Sequence, residues 1–283
     1  MFALQPPLQE MTNHEVKPLL LLPTLLLMLL LTHCQTSAER AENTDQSSSA
    51  GIASDDGFVP IFDGRTLDGW DGDTVYWRVE DGCLVGEITP DQLLETNSFI
   101  IWQGGEPGNF ELKTEFRITE AGNSGINYRS ERLDTIPYAL RGYQADIDGK
   151  RTYTGQNYEE RKRATLAYRG QQVTVTSQPN PEEPGSLRAN VTKNAWGNNE
   201  VTASLGESDS LRALIRHEDW NECHLVVQDN RLRHYINGVL MSDVTDNDTV
   251  NRMMAGQLGM QVHVGPPMRV AYRNIRLKDL STK

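Results

Sequence analysis

The sequence lacks both an excess of basic residues and a hydrophobic run long enough to cross a membrane. Its 283 residues carry a formal net charge of −12 at pH 7. This charge argues against nucleic acid or an anionic membrane surface as a partner, because a phosphate backbone requires a basic protein face. The longest apolar run, Leu19–Leu31, has 13 residues and contains Pro23, whereas a spanning helix needs roughly 20 apolar residues.

The same apolar run has the length of the hydrophobic region of a secretory signal peptide, roughly 7–15 residues. If translation starts at Met11, Lys17 lies just before the run, as such a peptide requires. We therefore expect a signal peptide over residues 1–38 and export to the periplasm or the cell surface.

Two alternatives for cleavage stay open. Residues 31–34 resemble a bacterial lipobox, in which Cys34 would carry a lipid, and residues 36–38 suit ordinary signal peptidase. Residues 39–57 are polar and rich in serine and alanine, which predicts a disordered linker. Contact with a membrane is expected only through the lipid of the first alternative.

The chain also has few cysteines and none of the common catalytic or metal-binding motifs. Cys83 and Cys223 remain outside the leader; a disulfide between them and two separately buried thiols both stay open, and the thiols are favoured. The motifs G-x-S-x-G and H-E-x-x-H are absent, as are paired-cysteine metal motifs. We expect no required cofactor and no catalytic metal, and a structural Ca²⁺ stays open for an acidic β-sandwich.

From Phe58 onward, the sequence consists of short alternating apolar runs between Gly, Asn and Asp residues. Glu111–Ile118 alternates as a half-buried strand does, and Asn237-Gly238 is a strong hairpin turn between two such runs. Val270–Leu277 predicts a closing strand with a bulge. These patterns predict one all-β sandwich domain over residues 58–281.

Two segments depart from the strand pattern. Ser208–Ile215 predicts a short helix capped by Ser208 or Asp209. Residues 178–204 are rich in Pro, Asn and Gly, which predicts a long loop. Within that loop, Trp196 is the best candidate for an aromatic platform at the rim of a sugar site.

Three predicted strands carry polar side chains on one face while the other face is apolar. If these strands share a sheet, the polar residues form a floor that contains an acid, a base and a guanidinium: Asn127, Arg129, Gln144, Asp146, Gln261 and His263. The alternative is an ordinary solvated sheet face. Asn123 begins a turn before the first of these strands, and Glu159 lies in a charged segment that is equally compatible with a surface loop.

Several blocks spread along the chain resemble the 3-keto-disaccharide hydrolase domain family, and they occur in the order found in that family. The opening F-D-G…L-x-G-W and the ending H-x-G-P-P-M are together highly specific. The blocks are residues 62–70, 77–82, 109–112, 122–126, 142–147, 219–222, 234–238 and 258–268, followed by 273–277. The resemblance implies a concanavalin A-like jelly-roll β-sandwich of two antiparallel sheets.

The resemblance also implies activity on 3-keto-glycosides by elimination of the aglycone and rehydration, a net hydrolysis. Family members without known activity imply the alternative of a non-catalytic carbohydrate-binding module on the same fold. In either case a carbohydrate is the expected partner.

The matched motifs imply roles for individual residues. His263 is expected to act as base or acid, Asp146 as the second acid/base group, and Arg129 as the group that polarises the ketone. Glu159 is the reserve carboxylate, because many members carry Glu near the block that here contains Gln144 and Asp146. The remaining predicted substrate-binding residues are Asn123, Asn127, Gln144, Gln261 and Trp196.

Overall fold

The computed structural model describes residues 56–281. The predicted signal peptide, both cleavage alternatives with Cys34, and nearly all of the predicted linker lie outside the described residues, so export and lipidation stay predictions. Within residues 56–281, no helix is long and apolar enough to cross a membrane.

The described chain folds into 19 strands and two short helices. In chain order they are β1 (Val59–Pro60), β2 (Trp70–Asp71), β3 (Trp77–Glu80), β4 (Cys83–Ile88), β5 (Ser98–Trp102), β6 (Phe110–Ile118), β7 (Asn123–Arg132), β8 (Leu140–Asp148), β9 (Asn157–Glu160), β10 (Ala164–Ala167), β11 (Gln171–Val175), α1 (Ser186–Ala189), β12 (Val191–Thr192), β13 (Ala195–Trp196), β14 (Asn199–Ser204), α2 (Ser208–Arg212), β15 (Asn221–Gln228), β16 (Arg231–Ile236), β17 (Val239–Asp246), β18 (Gln257–Val262) and β19 (Met268–Asp279).

The strands form two sheets that pack face to face. The ten-stranded sheet has the order β14-β11-β17-β16-β15-β6-β19-β4-β3, with β1 beside β19, and the nine-stranded sheet has the order β12-β13-β10-β9-β8-β7-β18-β5-β2. The prediction of an all-β jelly-roll sandwich is confirmed. The expectation of purely antiparallel sheets needs one correction, because β11 pairs with β17 and β10 with β13 in parallel.

The core lies between the inner faces of the two sheets. Strand β6 contributes Leu112 and Phe116, and the facing strands β7 and β8 contribute Ile126 and Ile147, all of them almost completely buried. Burial of each such side chain contributes about 1.5–3 kcal/mol to the stability of the folded domain. Since side chains alternate along a strand, the residues between the apolar ones of β7 and β8 face outward from the nine-stranded sheet.

The predicted strands and the hairpin are confirmed, including the bulge in the closing strand. Asn237 and Gly238 both have positive φ between β16 and β17, as a two-residue turn requires. The pairing of β19 with β6 shifts register between Arg273 and Arg276. Cys83 and Cys223 are both buried and unpaired, as favoured.

Two local predictions were wrong. The helix is shorter than predicted and begins after Glu207, whose side chain makes no capping hydrogen bond. Residues 178–204 contain α1, a hairpin of β12 and β13, and β14, instead of one loop. The hairpin escaped prediction because its turn, Lys193-Asn194, adopts positive φ of 51° and 59° without glycine.

Candidate functional site

A cleft of about 340 Å³ lies on the outer face of the nine-stranded sheet. Polar and aromatic side chains from β7, β8, β9, β10, the end of β18 and the hairpin of β12 and β13 surround it. The twelve lining residues are Asn123, Gln144, Asp146, Tyr153, Gln156, Tyr158, Glu160, Thr165, Tyr168, Lys193, Asn194 and His263.

Strand register explains why distant parts of the sequence meet here. On β7 and β8, Gly125 pairs with Asp146. Strand β18 runs antiparallel beside β7, with Met260 opposite Ile126, so the continued register brings His263 to the level of Asn123. Of the six residues of the predicted polar floor, Gln144, Asp146 and His263 line the cleft, and Asn123 joins them from the start of β7.

Asp146 is a buried carboxyl group on this floor, with 8% of its surface exposed. Burial raises the pKa of Asp146 to about 7, although hydrogen bonds from Gln156 and Gln144 oppose the rise and nearby Glu160 and Asp148 add to it. The donor distances are 2.5 Å from Gln156 Nε2 to Oδ2 and 2.7 Å from Gln144 Nε2 to Oδ1. A carboxyl group with this pKa accepts or donates a proton near neutral pH.

A row of side-chain amides extends from Asp146 across the floor. Gln261 Nε2 donates to Gln144 Oε1 at 3.2 Å, and Gln144 in turn donates to Asp146. Gln144 lies directly over Gly125, where a Cβ atom would stand 2.6 Å from Gln144 Cγ. Gly125 is thus required for the row, and the buried Gln261 supports Gln144 without lining the cleft.

The turn between β8 and β9 carries Gln156 and Tyr153 to the cleft. Asp148 accepts backbone N–H groups from Thr152, Tyr153 and Thr154 at 2.8–2.9 Å. From the other sheet, His234 Nδ1 donates to the carbonyl oxygen of Gln156 at 3.2 Å. These bonds fix the turn on both sides.

His263 stands at the rim of the cleft, half-buried. Its Nδ1 lies 2.6 Å from the carbonyl oxygen of Val264. A carbonyl oxygen only accepts, so Nδ1 carries the hydrogen and Nε2 of the neutral ring is left as an acceptor.

Asn97 ties the backbone next to His263 to the opposite end of the cleft. The Val264 N–H donates to Asn97 Oδ1 at 2.9 Å, and Asn97 Nδ2 donates to Glu160 Oε1 at 3.0 Å. Asn97 therefore links the rim at His263 to Glu160 on β9.

Three tyrosines supply the aromatic surface of the cleft. Tyr153 and Tyr168 are 49% and 47% exposed, which is high for rings of this size. The Tyr158 hydroxyl donates to Asn194 Oδ1 at 3.3 Å, and burial raises the pKa of Tyr158 to about 12, so this hydroxyl keeps its hydrogen. Exposed tyrosines beside polar groups form a surface suited to a sugar ring. Tyr153 and Tyr168 lie in loops, whose sequences have no periodicity that could have revealed them.

Arg129 does not lie on the floor, and the predicted role for it was wrong. Register shifts between Tyr128 and Glu131, and Arg129 has a φ of 43° in this bulge. Its buried guanidinium donates instead to the carbonyl oxygens of Gly108, at 2.9 Å, and Asp229, at 2.6 Å. A bulge breaks the two-residue alternation on which the prediction depended.

Three further predicted site residues also lie outside the cleft. Glu159 is completely buried and binds the guanidinium of Arg163 through both carboxylate oxygens. Trp196 is core, and its Nε1 donates to the Thr176 carbonyl oxygen at 2.9 Å. Asn127 is completely buried. The missed residues include Gln156, Tyr158, Glu160 and Lys193.

No group of three or more His, Cys, Asp or Glu side chains within residues 56–281 is arranged to hold a metal ion. The structural Ca²⁺ that the sequence leaves open could also use carbonyl oxygens as ligands, and it stays a prediction.

Comparison with known proteins identifies relatives of this domain. Residues 57–278 match the 3-keto-alpha-glucoside-1,2-lyase-like domain. Over 92 residues, the chain is 35% identical to a 3-keto-disaccharide hydrolase of Bacteroides thetaiotaomicron. That alignment covers 28% of this chain and 29% of the relative, which is less than a third of its length.

Solved structures resemble the domain at low sequence identity. A Parabacteroides distasonis protein, provisionally assigned as a glycosyl hydrolase, is 18% identical with a TM-score of 0.49, over 80% of this chain and 94% of that one. The carbohydrate-binding module CBM66 from Bacillus subtilis is 15% identical with a TM-score of 0.45, over 75% of this chain and 96% of that one. These likenesses bear on the fold alone.

Proposed function

We propose, from the premise that this chain belongs to the 3-keto-alpha-glucoside-1,2-lyase-like domain family, that its cleft cleaves glycosides whose sugar is oxidised at C3. The family resemblance read from the sequence motifs is confirmed by the match over residues 57–278. The observation that carries the proposal is that one cleft contains both Asp146, a carboxyl group with a pKa of about 7, and the imidazole of His263.

The chemistry of a 3-keto-glycoside requires groups of this kind. The ketone acidifies the hydrogen at C2, so a base can remove it and leave an enolate. The enolate re-forms the ketone as the C1–oxygen bond breaks, and the aglycone oxygen leaves with the electron pair and takes a proton. Water then adds at C1 of the resulting double bond while C2 regains a proton, which makes the net reaction a hydrolysis.

We assign the base to Asp146 and the acid to His263. Asp146 lies on the floor, beneath the position of a bound sugar ring, and the amides of Gln144 and Gln156 hold its two oxygens. His263 lies at the rim, where an aglycone would leave, with Nδ1 held by the backbone and Nε2 available. In its protonated form His263 donates a proton from Nε2 to the leaving oxygen.

The elimination differs from ordinary glycoside hydrolysis in the number and position of the carboxyl groups that it requires. An oxocarbenium route uses two carboxyl groups that flank the anomeric carbon. Here the pKa of Asp146 is about 7, whereas Glu160 accepts a hydrogen bond from Asn97. One titrating carboxyl and one imidazole fit proton transfer at C2 and at the leaving oxygen.

The second candidate function is a carbohydrate-binding module without catalysis. The exposed rings of Tyr153 and Tyr168 favour it, since such rings bind sugars without any acid or base.

An assay with a 3-keto-glucoside that bears a chromogenic aglycone separates the two candidates. We expect the protein to release the aglycone from the ketone and not from the unoxidised glucoside. Asp146→Ala and His263→Ala should each lower kcat by at least about 100-fold, the contribution typical of one positioned acid or base. The exposed pair Asp134→Ala and His217→Ala serves as the matched control.

Release that is equally fast in both cleft variants would contradict the assignment of the two residues. Binding of glycans with no release by the unmodified protein would favour the non-catalytic module.

A further inference from the structure

The cleft contains a single lysine or arginine, Lys193, which the elimination scheme has not yet used. Of the twelve lining residues, only this one carries a permanent positive charge at neutral pH. It comes from the hairpin of β12 and β13, in the segment that the sequence predicted as a loop.

The backbone of this hairpin is fixed against the cleft. Strand β13 pairs with β10 through Ala195 and Thr165. The Thr165 N–H donates to the Asn194 carbonyl oxygen at 3.1 Å, and the Tyr158 hydroxyl donates to Asn194 Oδ1 at 3.3 Å. Lys193 is therefore placed at the cleft by hydrogen bonds to β9 and β10.

The turn places Lys193 at a conformational cost. Its φ of 51° lies in the left-handed region, which lysine rarely adopts and where asparagine and glycine are common. Such strain persists only where the surrounding structure enforces it, and it concentrates at functional sites. Here the two-residue turn between β12 and β13 requires positive φ at both of its central residues.

The ammonium group of Lys193 is not engaged by the acids of the cleft. Asp146 binds Gln144 and Gln156, and Glu160 binds Asn97 and pairs with Arg161 at 3.6 Å. In the part of the chain that the structure describes, no ion pair includes Lys193. The charge is thus available to a ligand.

We infer that Lys193 is the residue that holds the C3 oxygen of the ketosugar and stabilises the negative charge formed there when C2 loses its hydrogen. This inference rests on the proposed function. It fills the role that the sequence assigned to Arg129, whose guanidinium is buried among backbone carbonyl groups.

The step balances with the groups on the cleft. Asp146 takes the hydrogen at C2 as a proton, the electrons of that bond form C2=C3, and the carbonyl pair moves onto the C3 oxygen. The ammonium of Lys193 faces this oxygen and keeps its own protons. When the ketone re-forms, the pair returns through C2 to make C1=C2, and the C1–oxygen bond breaks.

A group that acts on the enolate affects turnover more than binding of a sugar without a ketone. We therefore compare kcat and KM on a chromogenic 3-keto-glucoside with calorimetric affinity for the unoxidised glucoside. The variants are Lys193→Met and Lys193→Arg, with Lys150→Met, an exposed lysine that does not line the cleft, as the matched control.

Lys193→Met should lower kcat by about 10²–10³-fold, as loss of one oxyanion-stabilising group does. The affinity for the unoxidised glucoside should stay within about threefold. Lys193→Arg should recover most of the activity because it restores the charge, and Lys150→Met should behave as the unmodified protein.

Full kcat in Lys193→Met would overturn the inference while the proposed function stands. A parallel loss of kcat and of affinity for the unoxidised glucoside would also overturn it, because Lys193 would then only grip hydroxyl groups. An unmodified protein that releases nothing would refute the proposed function and this inference together.

Discussion

Asp146 is a residue at which burial and hydrogen bonding act in opposite directions on the same carboxyl group. Burial opposes ionisation, whereas the amides of Gln144 and Gln156 favour the carboxylate. The balance leaves a group that exchanges protons near neutral pH, which a fully solvated or fully paired carboxylate does not do. The same balance links this residue to the stability of the fold.

Replacing Asp146 with asparagine should change how stability depends on pH. The folded-state pKa is about 7 and the ordinary value is 3.8. As pH rises from 4 to 7, the unfolded chain releases this proton while the folded chain retains it, so folding becomes less favourable. Relative to Asp146→Asn, the unmodified protein should lose about 2–4 kcal/mol of unfolding free energy between pH 4 and pH 8.

Urea unfolding of both proteins at several pH values measures this difference. Asp134→Asn, at an exposed site, is the control and should track the unmodified protein. A constant difference between Asp146→Asn and the unmodified protein from pH 4 to pH 8 would show that Asp146 titrates normally.

The turn between β8 and β9 joins the cleft to the core. Gln156 donates to Asp146 on the cleft side, and its carbonyl oxygen accepts from His234 on the core side. His234 is buried, and burial lowers its pKa to about 4, so the ring is neutral and Nε2 accepts from the Tyr128 hydroxyl at 2.8 Å. The H-Y-I-N-G block of the sequence thus contributes a residue that positions the turn.

Gln156→Leu should shift the pH–rate profile of the 3-keto-glucoside reaction to higher pH. The variant keeps a similar volume but loses the hydrogen bond that lowers the pKa of Asp146. A hydrogen bond to a charged group contributes about 1.5–3 kcal/mol, so the limb assigned to Asp146 should move to higher pH by about 1–2 units.

Gln178→Leu is the matched control, since Gln178 is equally buried but binds Asn251 away from the cleft. An unchanged profile in Gln156→Leu, or an equal shift in both variants, would contradict the prediction that the hydrogen bond from Gln156 sets the pKa of Asp146.

Alternation along strands predicted half of the floor and failed where the backbone is irregular. Gln144, Asp146 and His263 follow the two-residue period to the cleft. Arg129 leaves it because a bulge rotates the chain at that point. Lys193 could not be placed, because a two-residue turn without glycine carries no sequence pattern and its contacts come from long-range pairing with β10.

Across the whole molecule, a buried ionic network joins the two sheets behind the cleft. Arg163, just before β10 of the nine-stranded sheet, binds Glu159, Asp246 and Asp248, with distances from 2.5 to 3.2 Å. Asp246 ends β17 in the other sheet. Such a network resists rearrangement, because the loss of one ion pair leaves buried charges without a partner. It also explains why Glu159 is not available to a substrate.

The sandwich itself was predictable because strand periodicity and the family motifs agree over the whole domain. The mixed pairing at β10 and β11 was not, since parallel neighbours distant in sequence leave no local pattern. The site depends on the same long-range pairing.

The most direct measurement is the fate of the hydrogen at C2 when the protein cleaves a 3-keto-glucoside in D₂O. Elimination followed by rehydration predicts a released sugar with one carbon-bound deuterium at C2, detected by mass spectrometry and NMR. A control in which the released sugar is incubated in D₂O without protein corrects for spontaneous exchange. Release of a sugar that retains its original hydrogen at C2 would contradict proton removal by this cleft.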